Sequence, residues 1–139
     1  MKAHEVLTAA AKVLRDFGWC QGANARDANG KDVPVADPGG SRRPNPEAAR
    51  FSIYGAIMRA GLTGDRQTQT GPMWDVLVRE AVDRRRDGTP ITSRQHQVFE
   101  YNDREGMTIE GALDFLEACA DRMKPVDETT KATESPSPT

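Results

Sequence analysis

A chain of 139 residues with a formal net charge of −2 and 29% charged side chains fits one domain, and its near-neutrality excludes a global electrostatic pull toward nucleic acid or membrane. Cys20 and Cys119 are the only cysteines, too few for a disulfide framework, and neither stands in a CxxC or Cys/His spacing that holds zinc. The N-terminus is charged at Lys2, His4 and Glu5 and lacks an apolar signal region, and nowhere do roughly 18 apolar residues run together, so the expectation is a cytoplasmic protein with no membrane span, no metal and no cofactor.

Residues 3 to 17 place Val6, Leu7, Ala10, Val13, Leu14 and Phe17 at the spacing of an amphipathic helix, with Gly18 as its stop. The next stretch holds Asn29-Gly30, a turn signal between arms that could pair as Ala23–Arg26 and Lys31–Val35. Val33-Pro34 confines the second arm to an edge, because proline donates nothing to a ladder. Pro38-Gly39-Gly40-Ser41 then breaks the chain.

Asn45 to Gly61 reads as a central helix with both ends marked: Asn45 as N-cap, Pro46 in the first turn and Gly61 as the stop. Ala49, Ile53, Ala56, Ile57 and Ala60 form one apolar stripe and Phe51, Tyr54 and Met58 a second, so this helix should pack on two sides. A third helix follows Gly71-Pro72 and runs to about Arg86, with Met73, Trp74, Leu77, Val78, Ala81 and Val82 on its apolar face. Residues 89 to 107 fit either a short helix capped by Thr92 or Ser93 or an extended return. Thr108 caps the last helix, striped by Ile109, Ala112, Leu113, Leu116, Ala120 and Met123 and ended by Pro125. Residues 1 to 124 therefore form a single, mainly α domain. It is a compact bundle of about four helices with a short β-hairpin between the first two, and residues 125 to 139, poor in apolar side chains, are a disordered tail.

Three short motifs occur in order: Gly18-Trp19-Cys20-Gln21-Gly22, then Ala49-Arg50-Phe51-Ser52-Ile53-Tyr54-Gly55-Ala56-Ile57, then Tyr101-Asn102-Asp103 ahead of Thr108. In these the chain resembles a family of small uncharacterised proteins, a domain of unknown function found in actinobacteria and their phages. The likeness spans residues 3 to about 123. It implies a phage or actinobacterial origin and intracellular expression, and brings no activity with it. The family often carries a Cys near the position of Ser52; the departure here argues against an essential thiol at that point.

Candidate chemistry is sparse. Cys20 needs a positioned base to act as a nucleophile, and His4 and His96, the two histidines, are tied to it by no spacing. A buried structural thiol is the plainer reading of both cysteines. Neither histidine shows a metal-binding spacing, and no glycine-rich phosphate loop follows a strand. Asn102 and Asp103 read first as loop-fixing Asx residues. They read second as a pocket in which they converge with the Trp19 indole, with Gly22 permitting close backbone approach. A lone carboxylate there falls short of two-carboxylate acid/base catalysis. Arg79, Arg84, Arg85 and Arg86, with Arg42, Arg43 and Arg94 as possible neighbours, form a candidate basic surface for phosphate. The same cations also complement a helix C-terminus, and Glu80, Asp83 and Asp87 dilute them.

The first expectation is a non-enzymatic cytoplasmic binding module, phage-encoded, that engages a host or phage protein. The competing one is weak nucleic-acid binding through the arginine-rich third helix. The third is a small enzyme with a pocket near Trp19 and Asp103. Oligomeric state is not encoded in any of these features.

Overall fold

In the computed structural model the described residues are 2–39, 43–62, 71–85 and 94–134, with side chains described for 72–84 and 97–125 of the last two segments. The elements are α1 (Ala3–Asp16), β1 (Ala25–Arg26), β2 (Arg50–Phe51), α2 (Ile53–Leu62), α3 (Gly71–Arg85), α4 (Arg94–Asp103) and α5 (Ile109–Glu134). The class is mainly α, with a two-stranded antiparallel ribbon between the first two helices.

Helix α1 buries Val6, Leu7, Ala10 and Leu14 at the expected spacing and packs on α2 and α5. Phe17, assigned to the same stripe, instead stands 49% exposed, because the helix ends at Asp16 and Gly18 turns the chain at φ +134°. The Asn29-Gly30 turn forms as its sequence demands, with Gly30 at φ +85° donating to the Asp27 carbonyl at 3.0 Å. The arm beyond it makes one bridge, Arg26 to Asp32. Strand β1 makes its regular ladder with β2, in the register Ala25 to Phe51 and Arg26 to Arg50.

That ladder corrects the reading of the central helix. Asn45 caps a turn, its side-chain oxygen accepting the Glu47 N–H at 3.1 Å while its amide donates to the Pro34 carbonyl at 2.8 Å. The chain then runs extended through Arg50-Phe51, where Phe51 exchanges backbone bonds of 3.0 Å with Gly18 and Cys20. The helix starts eight residues later than Asn45, at Ile53. Pro46 suits a turn as well as a first helical turn, since either needs only its fixed φ; cross-strand pairing and full burial of Phe51 decide in favour of the extended form. Ser52 supplies the cap, its Oγ accepting the Gly55 N–H at 3.0 Å. Gly61 lies buried inside the last turn of α2 and does not end it.

The ambiguous stretch resolves in part as α4, which raises the helix count among the described residues to five; Thr92 and Ser93, its proposed caps, lie outside the described residues. Thr108 Oγ1 accepts the Gly111 N–H at 3.1 Å and caps α5 as expected. Helix α5 continues through Pro125 to Glu134, although an interior proline removes one backbone bond and costs about 3 kcal/mol. Met123 is its last buried side chain among the described residues; residues 135–139 lie outside them. The core joins Leu7 and Leu14 to Ile57, Leu77, Phe115 and Leu116. Helix α3 is held on α4 and α5.

Candidate functional site

Asn102, in the last turn of α4, is 1% exposed and uses its whole carboxamide. Its Oδ1 accepts two bonds, from the Trp19 indole Nε1–H at 2.8 Å and from the Ile53 backbone N–H at 2.9 Å. Its Nδ2 donates twice, to the Cys20 carbonyl at 3.1 Å and to Asp103 Oδ1 at 2.9 Å. An amide has two donors and two principal acceptor sites, so Asn102 is saturated. These partners lie 49 to 83 residues away apart from Asp103, so the local Asx reading is replaced by a long-range one. One side chain ties the end of α4 to the 19–22 loop and to the first free N–H of α2.

The loop is fixed by further bonds around this node. Gly22, at φ +80°, donates its N–H to Asp103 Oδ1 at 2.9 Å, and the Gln21 side chain donates to the Asn102 and Arg104 carbonyls at 3.0 and 3.1 Å. Gly55 completes the joint. A Cβ on it would lie 1.8 Å from the Asn24 carbonyl oxygen, so the loop rests directly on the α2 backbone. The four residues of the sequence-derived pocket, Trp19, Gly22, Asn102 and Asp103, are thus brought together. All four are bonded within the group, Trp19 to Asn102 and both Asn102 and Gly22 to Asp103 Oδ1.

Beside the node lies a cleft of about 300 Å³ lined by Gly22, Ala23, Asn24, Ser52, Phe99 and Asp103. In the sequence Ser52 stands out only as the position near which the resembled family often carries a Cys, although Ser-x-x-Gly at the start of an apolar run is also compatible with a cap; Phe99 falls in the stretch whose periodicity is ambiguous. Phe99 packs on Tyr54 with ring centroids 4.7 Å apart, and Tyr54 on Trp74 at 5.5 Å.

The chemistry available to a nucleophile is poor. Burial pushes the Cys20 thiol up, against the opposing effect of Arg26, and its Sγ faces the Ala23 carbonyl at 3.6 Å. Burial raises Cys119 further. Raised values keep both as thiols at neutral pH. Among the described residues no three His, Cys, Asp or Glu side chains gather as a metal would require.

The two arginines of the candidate basic surface whose side chains are described, Arg79 and Arg84, differ in their surroundings. Arg79 is exposed, whereas Arg84 is half-buried and turned onto Glu80 at 2.8 Å, Asp114 at 2.8 Å and the Tyr101 hydroxyl at 3.3 Å. Its guanidinium also lies 5.7 Å from the Phe115 ring centre. Burial opposes its charge, yet the bonds to Glu80, Tyr101 and Asp114 outweigh that and raise its pKa above the ordinary guanidinium value. Arg122 bonds Glu80 from α5 at 2.8 Å, so this network fastens α3 to α5. The Arg85 side chain, Arg86, Arg42 and the Arg94 side chain lie outside the described residues, and Arg43 pairs with Asp37 at 3.5 Å.

A family model described as a family of unknown function, DUF6197, matches residues 1–122. The chain belongs to DUF6197. No curated protein and no solved structure matches it. The matched span includes every residue of the Asn102 node, the adjoining cleft and the whole of α3, so the DUF6197 match covers both candidate sites. No described helix is long and apolar enough to cross a membrane.

Proposed function

We propose that this DUF6197 protein is a small non-enzymatic binding module, phage-encoded and acting in the cytoplasm of an actinobacterial host, that engages a host or phage protein through the face around Phe17. The observation that carries the reading is Phe17 itself, the one large exposed hydrophobic side chain among the described residues. The Arg59 guanidinium sits 5.7 Å from its ring centre, and Phe51 supports it edge-on at 5.8 Å. Next to it, the Arg50 stem lies against Gly18. Neither Arg50 nor Arg59 forms an ion pair with a described carboxylate. A rigidly backed aromatic ring flanked by arginines is the composition of an interface hot spot. The partner it fits presents an apolar pocket rimmed by acidic residues.

Nucleic acid is the weaker reading, because Arg84 of the arginine helix is spent on Glu80 and Asp114. The test is a pull-down from actinobacterial lysate with mass spectrometry, run side by side with wild type and a Phe17→Ser/Arg59→Glu variant, each with and without nuclease. A protein retained by wild type, resistant to nuclease and lost from the variant supports the proposal. Retention that is equal in the variant, or that nuclease abolishes, overturns it.

A further inference from the structure

We infer that the cleft between the 22–24 loop, α2 and α4 is a binding site for a single positively charged alkylammonium or alkylguanidinium group, with Asp103 as its counter-ion and Phe99 as its aromatic wall. The inference stands apart from the Phe17 face and shares no residue with it.

Asp103 is an exposed carboxylate of which one oxygen is already fixed. Oδ1 accepts from the Gly22 N–H and the Asn102 amide, each at 2.9 Å, whereas Oδ2 has no hydrogen bond among the described residues. Those two bonds hold the carboxylate in one orientation at the cleft lining, so a cation would meet a pre-set acceptor. The C-terminus of α4 and the N-terminus of α2 both end here, and their partial charges, about half a unit each and opposite in sign, offset one another. Arg26, whose guanidinium reaches the Gly22 side of the cleft, is paired with Asp32 at 2.5 Å and donates to the Gln21 and Gly30 carbonyls at 3.0 Å.

The remaining walls suit a cation on an apolar stem. Phe99 offers an aromatic surface, which attracts ammonium and guanidinium groups, and its packing on Tyr54 and through it on Trp74 holds the ring in place. Ser52, 3% exposed, accepts one bond from Gly55 and keeps a second lone pair for a ligand N–H. A volume of about 300 Å³ is at the low end of small-molecule sites, room for one chain and its head group. The shared chemistry has two sources, a free small amine or guanidine and a Lys or Arg side chain presented by a protein.

The test uses the full chain labelled with ¹⁵N, with the Gly22 amide as reporter because it bonds Asp103 directly. Butylamine, butylguanidine, uncharged butylurea, and the tripeptides Gly-Lys-Gly and Gly-Arg-Gly are titrated at fixed pH and salt. The expected result is a saturable shift of Gly22 with the cations, at a dissociation constant on the order of 1–10 mM for such small fragments, and none with butylurea. Asp103→Asn, which keeps an oxygen to accept the Gly22 N–H, should weaken the cations at least about tenfold. Phe99→Leu, which keeps apolar bulk, should weaken them while leaving the fold intact. Tripeptides binding about tenfold or more tighter than the free bases identify the source as a protein side chain, and equal binding identifies a free small cation. No saturable shift with any cation, equal binding of butylurea, or undiminished binding in both variants overturns the site.

Discussion

The Trp19 indole N–H and the Ile53 backbone N–H share a single acceptor, Asn102 Oδ1, at 2.8 and 2.9 Å. Trp19 belongs to the first motif of the chain, Ile53 to the second and Asn102 to the third. The three motifs therefore meet at one joint. A buried, saturated amide is stabilising because each buried donor it serves would cost about 1–3 kcal/mol if left without a partner, and it specifies one arrangement of the three segments because its four bonds are satisfied together only when all three meet. The binding surfaces proposed above, Phe17 and the Asp103 cleft, flank this joint in the chain and depend on it for their geometry.

Gly55 gives a prediction whose sign is diagnostic. In an exposed helix, replacing glycine by alanine stabilises by up to about 1 kcal/mol. Here the added Cβ would meet the Asn24 oxygen at 1.8 Å, and backbone rather than a flexible side chain would have to yield. Gly55→Ala should lower the thermal midpoint, with a loss of at least about 1–3 kcal/mol by denaturant titration.

The two arginines of α3 that can be compared should behave oppositely. Arg79→Gln, at an exposed site, should leave stability within about 0.5 kcal/mol. Arg84→Gln removes bonds to Glu80, Asp114 and Tyr101 and should cost about 1–3 kcal/mol. Wild-type affinity for duplex DNA at physiological salt should be no tighter than non-specific binding, about 10⁻⁴ to 10⁻⁶ M. A salt titration of DNA binding by wild type and by the fourfold Gln variant at Arg79, Arg84, Arg85 and Arg86 checks this; a sub-micromolar complex lost in the variant would restore the phosphate-tracking surface.

The cysteines predict a pH dependence. Burial raises both thiols in the folded protein, so their contribution to stability is complete below the unfolded thiol value, about 8.5, and is lost as pH rises above it, because only the unfolded chain then ionises readily. Denaturant midpoints should fall between about pH 8.5 and 10 in wild type, and less in a Cys20→Ala/Cys119→Ala variant. Native-state alkylation at pH 8 should be slow and should accelerate on unfolding.

Much of the fold was legible where burial follows a helical period. Leu7, Leu14, Leu77 and Leu116 are buried as their spacing requires, and Thr108 caps α5. The start of the central helix was not legible, because Asn45-Pro46 is as good a turn as a cap, and the burial of Phe51 and the pairing of Arg50-Phe51 with Ala25-Arg26, 24 to 26 residues earlier, decide between them. The meeting of Trp19, Gly22, Asn102 and Asp103 could be suspected from their shared pattern. That Asn102 would be saturated could not, since its partners Cys20 and Ile53 contribute backbone atoms, which carry no sequence signal. The Arg84–Asp114 pair was not legible for a related reason: Asp114 lies on another helix, 30 residues on.

Hydrogen exchange at the Trp19 indole and the Ile53 amide, in wild type and in Asn102→Ala, tests the joint most directly. The account predicts that both protons in wild type exchange only with the core amides of α1 and α5. In Asn102→Ala both should lose that protection together, with global stability lower by about 2–3 kcal/mol, since the buried Ile53 N–H, the part-buried Trp19 indole N–H and the Cys20 carbonyl lose their partner. Fast exchange of the Trp19 indole in wild type, or a variant whose two protons remain protected and whose stability is unchanged, would contradict the claim that Asn102 holds the three segments together.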